Sequence, residues 1–217
     1  MKILLQIALV VLPWFVRRRL LQTLLGWQLD STASVGFTII IAENVSLSAG
    51  ARIGHLNYIK NLEDLNLGVD ASIGNMNLIS GSHSTDLYRY SSPKSQLLLE
   101  DGAAITHEHR IDCADSVKLG RYSTLAGRGT QVWTHGIDVV EGVQSTRPVV
   151  IGSYALVGSR CVFLKGAQLG ECVVVGAGAV VHGAVPDRCL VVGVPARVVR
   201  KFDGDELYFT RKSPRVE

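Results

Sequence analysis

The sequence predicts an all-β solenoid of stacked short strands, preceded by a helical segment, and three observations predict it. First, an apolar residue recurs at every sixth position at Ile151, Val157, Phe163, Leu169, Val175 and Val181. Strands repeat at two residues and helices at about 3.6, so a sustained six means that one short strand and its corner form the repeating unit. Second, Gly152, Gly158, Gly170 and Gly176 follow these residues at once, and the fifth place of each hexad holds Ala155, Cys161, Ala167, Val173, Ala179 and Val185. Third, the same spacing reaches back through the chain: Ile41, Leu47, Ile53 and Ile59 share one phase, Leu67, Ile73 and Ile79 a second, and Leu99, Ile105, Ile111 and Val117 a third that slips into Leu119 and Leu125. These phase slips predict bulged corners or short insertions.

Taken in order, residues 3–16 are apolar apart from Gln6 and Pro13, and are followed by Arg17, Arg18 and Arg19 and by Leu20, Leu21, Leu24, Leu25 and Trp27. The apolar run is shorter than the roughly 20 residues of a bilayer-spanning helix, and Pro13 interrupts it. It also lacks the charge placement and small-residue cleavage site of a secretory signal. Two readings of residues 1–27 stay open. One is an interfacial helix on the inner membrane leaflet with Trp14, Trp27 and Arg17 to Arg19 at headgroup level. The other is a lid over the first coil, which every solenoid needs. Residues 80–95 and 135–148 abandon the period, and loops that leave a rigid scaffold are where binding groups usually sit. The first of these carries Tyr88, Arg89 and Tyr90.

The resulting organisation is a helical segment at 1–30, one β-solenoid domain at 31–196 and a basic tail or helix at 197–217. No Pro/Gly/Ser tract divides the 217 residues. A formal charge of +3 argues against a nucleic-acid partner and leaves room for a local basic patch facing a polyphosphate. Cys113, Cys161, Cys172 and Cys189 show no paired metal or redox spacing, so a reduced, cytoplasmic setting is expected.

The glycine-punctuated hexads resemble those of the hexapeptide-repeat acyltransferases, closest in character to sugar O-acetyltransferases of polysaccharide biosynthesis. The resemblance implies a left-handed parallel β-helix in which three hexads make one triangular coil, assembled as a homotrimer with active sites at subunit seams. It further implies acyl transfer from acetyl-coenzyme A, the co-substrate, to a hydroxyl of a sugar or glycan precursor. An amino group as acceptor is the alternative. No metal is implied.

Several residues follow from this resemblance. His135, in Thr134-His135-Gly136 at the head of the second break, occupies the place of the family's catalytic histidine. An imidazole with an ordinary pKa near 6.5 is suited to taking a proton and returning it. The plainer reading is that His135 caps a loop. Ser159 and Ala177, with Gly178, match the small residues lining the coenzyme A groove. Val192-Gly193-Val194-Pro195-Ala196-Arg197 is similar to the closing segment that places a basic residue near the nucleotide phosphates, which makes Arg197 the phosphate candidate. Asp112 is the expected contact to the acceptor hydroxyl, and His107 and His109 are candidates to orient the acceptor, or else polar corner residues. The chain departs from the family at His182-Gly183 and at Leu156, where a lysine and a tryptophan are common, and both departures bear on the donor pocket.

Two other classes compete. Gamma-type carbonic anhydrases use the same solenoid and hold zinc with three histidines. Their His-x-x-x-x-His stretch is absent here, but residues two apart on a strand share a face, so His107, His109 and His135 are a conceivable zinc set. A non-catalytic assembly scaffold would account for the solenoid and the N-terminal segment, though not for His135 at the mouth of an excursion.

Overall fold

The computed structural model describes residues 2–82 and 94–214. Within them the period of six becomes a parallel β-helix. In the most regular part each strand lies on the one eighteen residues later, Leu156 on Val174 and Val162 on Val180. The three faces are short parallel ladders, and two of them merge into one 13-stranded sheet. They merge because Ile39–Leu47 and Tyr58–Leu67 run on round a corner without breaking, with a register shift between Ile41 and Ala42. The third face is a nine-stranded sheet. The architecture is the left-handed parallel β-helix that the hexad pattern and its resemblance imply.

The periodic residues form the core as the hexad pattern requires. Ile151, Val157, Phe163, Leu169, Val175 and Val181 are all buried, and so are Ala155, Cys161, Ala167, Val173 and Ala179 of the fifth places. Val185, the last of the fifth places, is only half-buried, and the first phase also needs correction. Ile40 points inward and Ile41 does not, because the register shift beside Ile41 moves the inward place back by one.

The N-terminal segment folds as two helices, α1 (Lys2–Leu9) and α2 (Trp14–Leu25). Pro13 stands at the N-cap of α2, where its fixed φ and missing N–H do no harm. Gly26 ends α2 at φ 70, in the left-handed region that favours glycine. Together the helices close the first coil. The Gln6 amide exchanges two hydrogen bonds with the Ile40 backbone, at 2.7 and 2.9 Å. Trp14 Nε1 donates to Ala33 O at 2.9 Å, and Arg17 donates to the carbonyls of Val35 and Gly36 at 3.2 and 2.9 Å. Leu9, Leu21 and Trp27 join the core. The coil's exposed backbone groups thus gain partners that water would otherwise supply. Of the residues expected at headgroup level, Arg17 and Trp27 are buried against the coil and Trp14 is half-buried there, whereas Arg19 is exposed.

At the other end Arg197–Lys201 is not the start of a tail. It adds an antiparallel strand to Cys189–Val192 and finishes the nine-stranded sheet. A short helix, Leu207–Thr210, follows. Arg211 then folds back among Tyr122, Tyr154 and Tyr208, with its guanidinium 3.9 Å from the centre of the Tyr208 ring and bonded to the Tyr122 carbonyl. The predicted solenoid boundary at 196 therefore falls inside the sheet. The excursion with Tyr88, Arg89 and Tyr90 lies outside the described residues.

Candidate active site

His135 opens an antiparallel hairpin, His135–Asp138 with Val143–Thr146, that leaves the coil after the strand Gln131–Val132. Its ring is fixed from the neighbouring coil. Asp112 lies in Arg110–Cys113, which pairs in register with Gln131–Val132, and its Oδ2 sits 2.8 Å from His135 Nδ1. The same oxygen accepts the Thr134 N–H at 2.9 Å and the Thr134 hydroxyl at 2.7 Å. A carboxylate only accepts, so in the neutral imidazole Nδ1 is the donor to Asp112 and Nε2 is the acceptor. Asp112 is nearly buried, whereas His135 is about one-third exposed. Trp133 meets the imidazole edge-on, with ring centres 6.3 Å apart. Lys165 Nζ donates to Ser145 Oγ at 2.5 Å and ties the hairpin to the next coil.

The structure adds a contact to the one expected for Asp112: its Oδ2 is engaged with His135 and Thr134, and Asp112 also lines a groove beside them. Sequence reading missed the surroundings. This groove of about 220 Å³ is lined by Asp112 together with Leu78, Ser80, Arg110, Ile111 and Trp133. The period-two rule applied around inward Ile111 places Arg110 and Asp112 together on the outer face, and that signal was available. The pairing of Asp112 with His135, 23 residues apart, was not.

The expectation for His109 is corrected. It is 1% exposed, and burial lowers its pKa from 6.5 to about 4. Its Nδ1 accepts the Thr130 N–H at 3.1 Å, and Nε2 lies 3.0 Å from the Thr106 hydroxyl. It is one rung of a polar ladder inside a corner. In that ladder Asn57 bonds Thr38, Asn77 bonds Asn57, the His109 N–H bonds Asn77 and the Cys161 N–H bonds Thr130. His109 therefore cannot reach an acceptor. His107 is exposed at that corner, and its Nδ1 accepts the Asn75 N–H at 2.9 Å. The strand Arg110–Cys113 separates it from His135, on the order of 10 Å at about 3.3 Å per residue. The three histidines consequently do not converge as zinc ligands. Among the described residues the one group of three with that geometry is Asp203, Asp205 and Glu206, exposed acids near the C-terminus.

The groove residues fall where the repeat places them. Ser159 and Ala177 occupy the same corner of successive coils, joined by the Gly178 N–H to Ser159 O at 2.9 Å. Gly158 must be glycine, since a Cβ there would lie 2.8 Å from the Ala177 nitrogen. Ala177 and Gly178 are exposed, and a side chain on Gly178 would meet nothing within 4 Å. The closing segment continues this corner, because Val180 N–H bonds Gly193 O at 3.0 Å and Ala196 N–H bonds Val180 O at 2.8 Å. Arg197 follows, exposed. The small corner and His135 thus stand at opposite ends of one face of the helix.

Comparison with known proteins agrees with this architecture. Residues 148–183 match the family model of the bacterial transferase hexapeptide (six repeats). Galactoside O-acetyltransferase of Escherichia coli (strain K12) is 28% identical over 113 residues, 52% of this chain and 55% of that protein. A Staphylococcus aureus (strain COL) protein named as an acetyltransferase is 43% identical over 65 residues, 30% of this chain and 33% of its own length, so the chain spans about a third of that relative. Among solved structures, the polysialic acid O-acetyltransferase OatWY superposes with a TM-score of 0.56 at 18% identity, covering 86% of this chain and 90% of that one. The Bacillus cereus N-acyltransferase AntD, solved with dTDP and coenzyme A, gives 0.55 at 17% identity, covering 78% and 83%. These likenesses establish the fold. The described residues form a parallel β-helix, and residues 148–183 match the hexapeptide-repeat model.

Proposed function

We propose that the protein is an acetyl-coenzyme A-dependent O-acetyltransferase acting on a sugar or glycan-precursor hydroxyl, with His135 as general base. The observation that carries this reading is the 2.8 Å contact of His135 Nδ1 with Asp112 Oδ2 beside an open groove. Asp112 holds the imidazole in the tautomer that presents Nε2 as a proton acceptor. His135 takes the acceptor hydroxyl proton as that oxygen attacks the acyl carbonyl, and then returns it to the departing sulfur, so the enzyme ends unchanged. Asp112 faces the imidazolium that forms between these steps. The relatives named as acetyltransferases support the reaction class.

In this reading the corner of Ser159, Ala177 and Gly178 takes the pantetheine arm, since a small exposed wall leaves room for it, and Arg197 faces the nucleotide phosphates. Arg110 and Trp133 offer the acceptor a cation and an aromatic face. The hairpin carrying His135 ends in exposed Ile137, Val139 and Val140, an apolar tip suited to a second copy of the chain, which supports assembly as a homotrimer with the site at a seam. A cytoplasmic setting belongs to the same reading, as Cys113, Cys161, Cys172 and Cys189 are all free thiols. Transfer of labelled acetyl from acetyl-coenzyme A to a panel of simple glycosides tests the proposal. Sedimentation analysis tests the trimer, and a monomer would remove the seam.

A further inference from the structure

A solenoid cap satisfies the first coil with one face and, in a soluble protein, offers water a polar face with the other. The cap of this chain does only the first. Gln6, Leu9, Arg17 and Leu21 are turned into the coil. The opposite side shows Leu4, Ile7, Val11 and Phe15, which are 52–80% exposed. Beside Ile7 an apolar groove of about 420 Å³ runs between α1 and the first coils, lined by residues that include Val10, Phe37, Leu56 and Tyr58. Phe37 and Leu56 are themselves more than half exposed. Leu56 reaches this place at φ 57, a backbone region that a bulky side chain seldom occupies.

Charge selects among the partners such a face can take. Residues 1–29 contain Lys2, Arg17, Arg18 and Arg19 and no aspartate or glutamate. Arg17 is spent inside the cap, while Arg19 is exposed four residues after Phe15, one turn along the same side of α2. An apolar strip edged by cations and free of acids matches an anionic lipid surface. No described helix is long and apolar enough to cross a membrane, so the geometry is that of a segment lying on the surface.

We infer that the outer face of the N-terminal cap docks the protein on anionic membranes, with Leu4, Ile7, Val11 and Phe15 entering the acyl boundary and the groove beside Ile7 seating a lipid hydrocarbon chain. The inference does not depend on the acetyltransferase reading. Of the anchors that the sequence offered, Arg17, Trp14 and Trp27 turn towards the coil, whereas Arg19 stays exposed beside the aliphatic residues of the outer face.

Flotation of the full chain with vesicles decides it. Wild type should float with vesicles of phosphatidylcholine and phosphatidylglycerol at 7:3, should float far less with phosphatidylcholine alone, and should be released by 0.5 M salt. The triple variant Leu4→Ser, Ile7→Ser, Val11→Ser removes only exposed side chains and should keep the wild-type circular dichroism and melting curve while partitioning at least about tenfold less. Arg19→Glu should weaken binding to anionic vesicles alone. Failure of wild type to float with anionic vesicles would overturn the inference. So would a triple variant that floats normally, or one that instead lowers the oligomeric state of the free protein, which would show that a second copy covers the face.

Discussion

Asp112→Asn separates the two roles open to this carboxylate. Its Oδ2 accepts three hydrogen bonds, from His135 Nδ1 at 2.8 Å and from the Thr134 N–H and hydroxyl at 2.9 and 2.7 Å. An asparagine oxygen can still accept from Thr134, so the hairpin base should survive. The negative charge facing the imidazolium disappears. A hydrogen bond to a charged group contributes about 1.5–3 kcal/mol; at about 1.4 kcal/mol per tenfold, kcat should fall about 10- to 150-fold. The Michaelis constants for acetyl-coenzyme A and for the acceptor should stay within about twofold, as expected when the lost interaction matters only in the transition state. Initial rates from thiol release under saturating donor, with acceptor varied, measure both. An unchanged kcat with a raised acceptor constant would refute the assignment and return Asp112 to direct acceptor binding.

Three further outcomes follow from other parts of the molecule. Burial holds His109 neutral with a pKa of about 4 against 6.5 when exposed, so the unfolded chain binds the extra proton first. The stability this neutrality confers is fully present above pH 6.5 and is lost as pH falls from 6.5 towards 4, by about 3 kcal/mol in total. Denaturant titrations should show that slope in wild type and lose it in His109→Asn, and an equal slope in both would contradict it. Gly152→Ala would put a Cβ 2.1 Å from the Gly170 carbonyl oxygen. It should therefore cost about 2–3 kcal/mol and lower Tm by about 5–10 °C in a thermal scan, while an unchanged Tm would mean that the coils can move apart. Ala177→Trp lies on an exposed corner and should keep the wild-type melt, yet weaken coenzyme A binding by calorimetry about tenfold or more, the equivalent of about 1.4 kcal/mol. Unaltered affinity would move the pantetheine arm to another corner.

Most of the fold was legible because a hexad repeat encodes it locally: each inward residue is chosen by its own corner. Legibility failed where the coil is not six-fold. At Ile41 a register shift moves the inward place to Ile40, and the cause lies in the paired strand rather than in the hexad. His109 was misjudged although its signal was present. Counted from Ile105 it fills the fifth, inward place, like Asn57 counted from Ile53 and Asn77 from Ile73, yet a histidine reads as a surface group until its bonds to Thr106 and Thr130 are known. His135 could be located because it heads a break in the period. Its partner could not, since Asp112 reaches it only through the stacking of two coils. The cap illustrates the same limit. Amphipathic sequence announces two faces, but only the contacts of Gln6 and Arg17 tell which side is inward.

The most direct measurement pairs acetyl-coenzyme A binding with acetyl transfer to simple glycosides, for wild type and His135→Ala. The account predicts saturable donor binding of similar affinity in both proteins, indifferent to chelators, and transfer that falls about 10²- to 10⁴-fold in the variant, the usual contribution of a general base. A wild-type protein that binds no coenzyme A, or a variant that transfers acetyl at the wild-type rate, would contradict it.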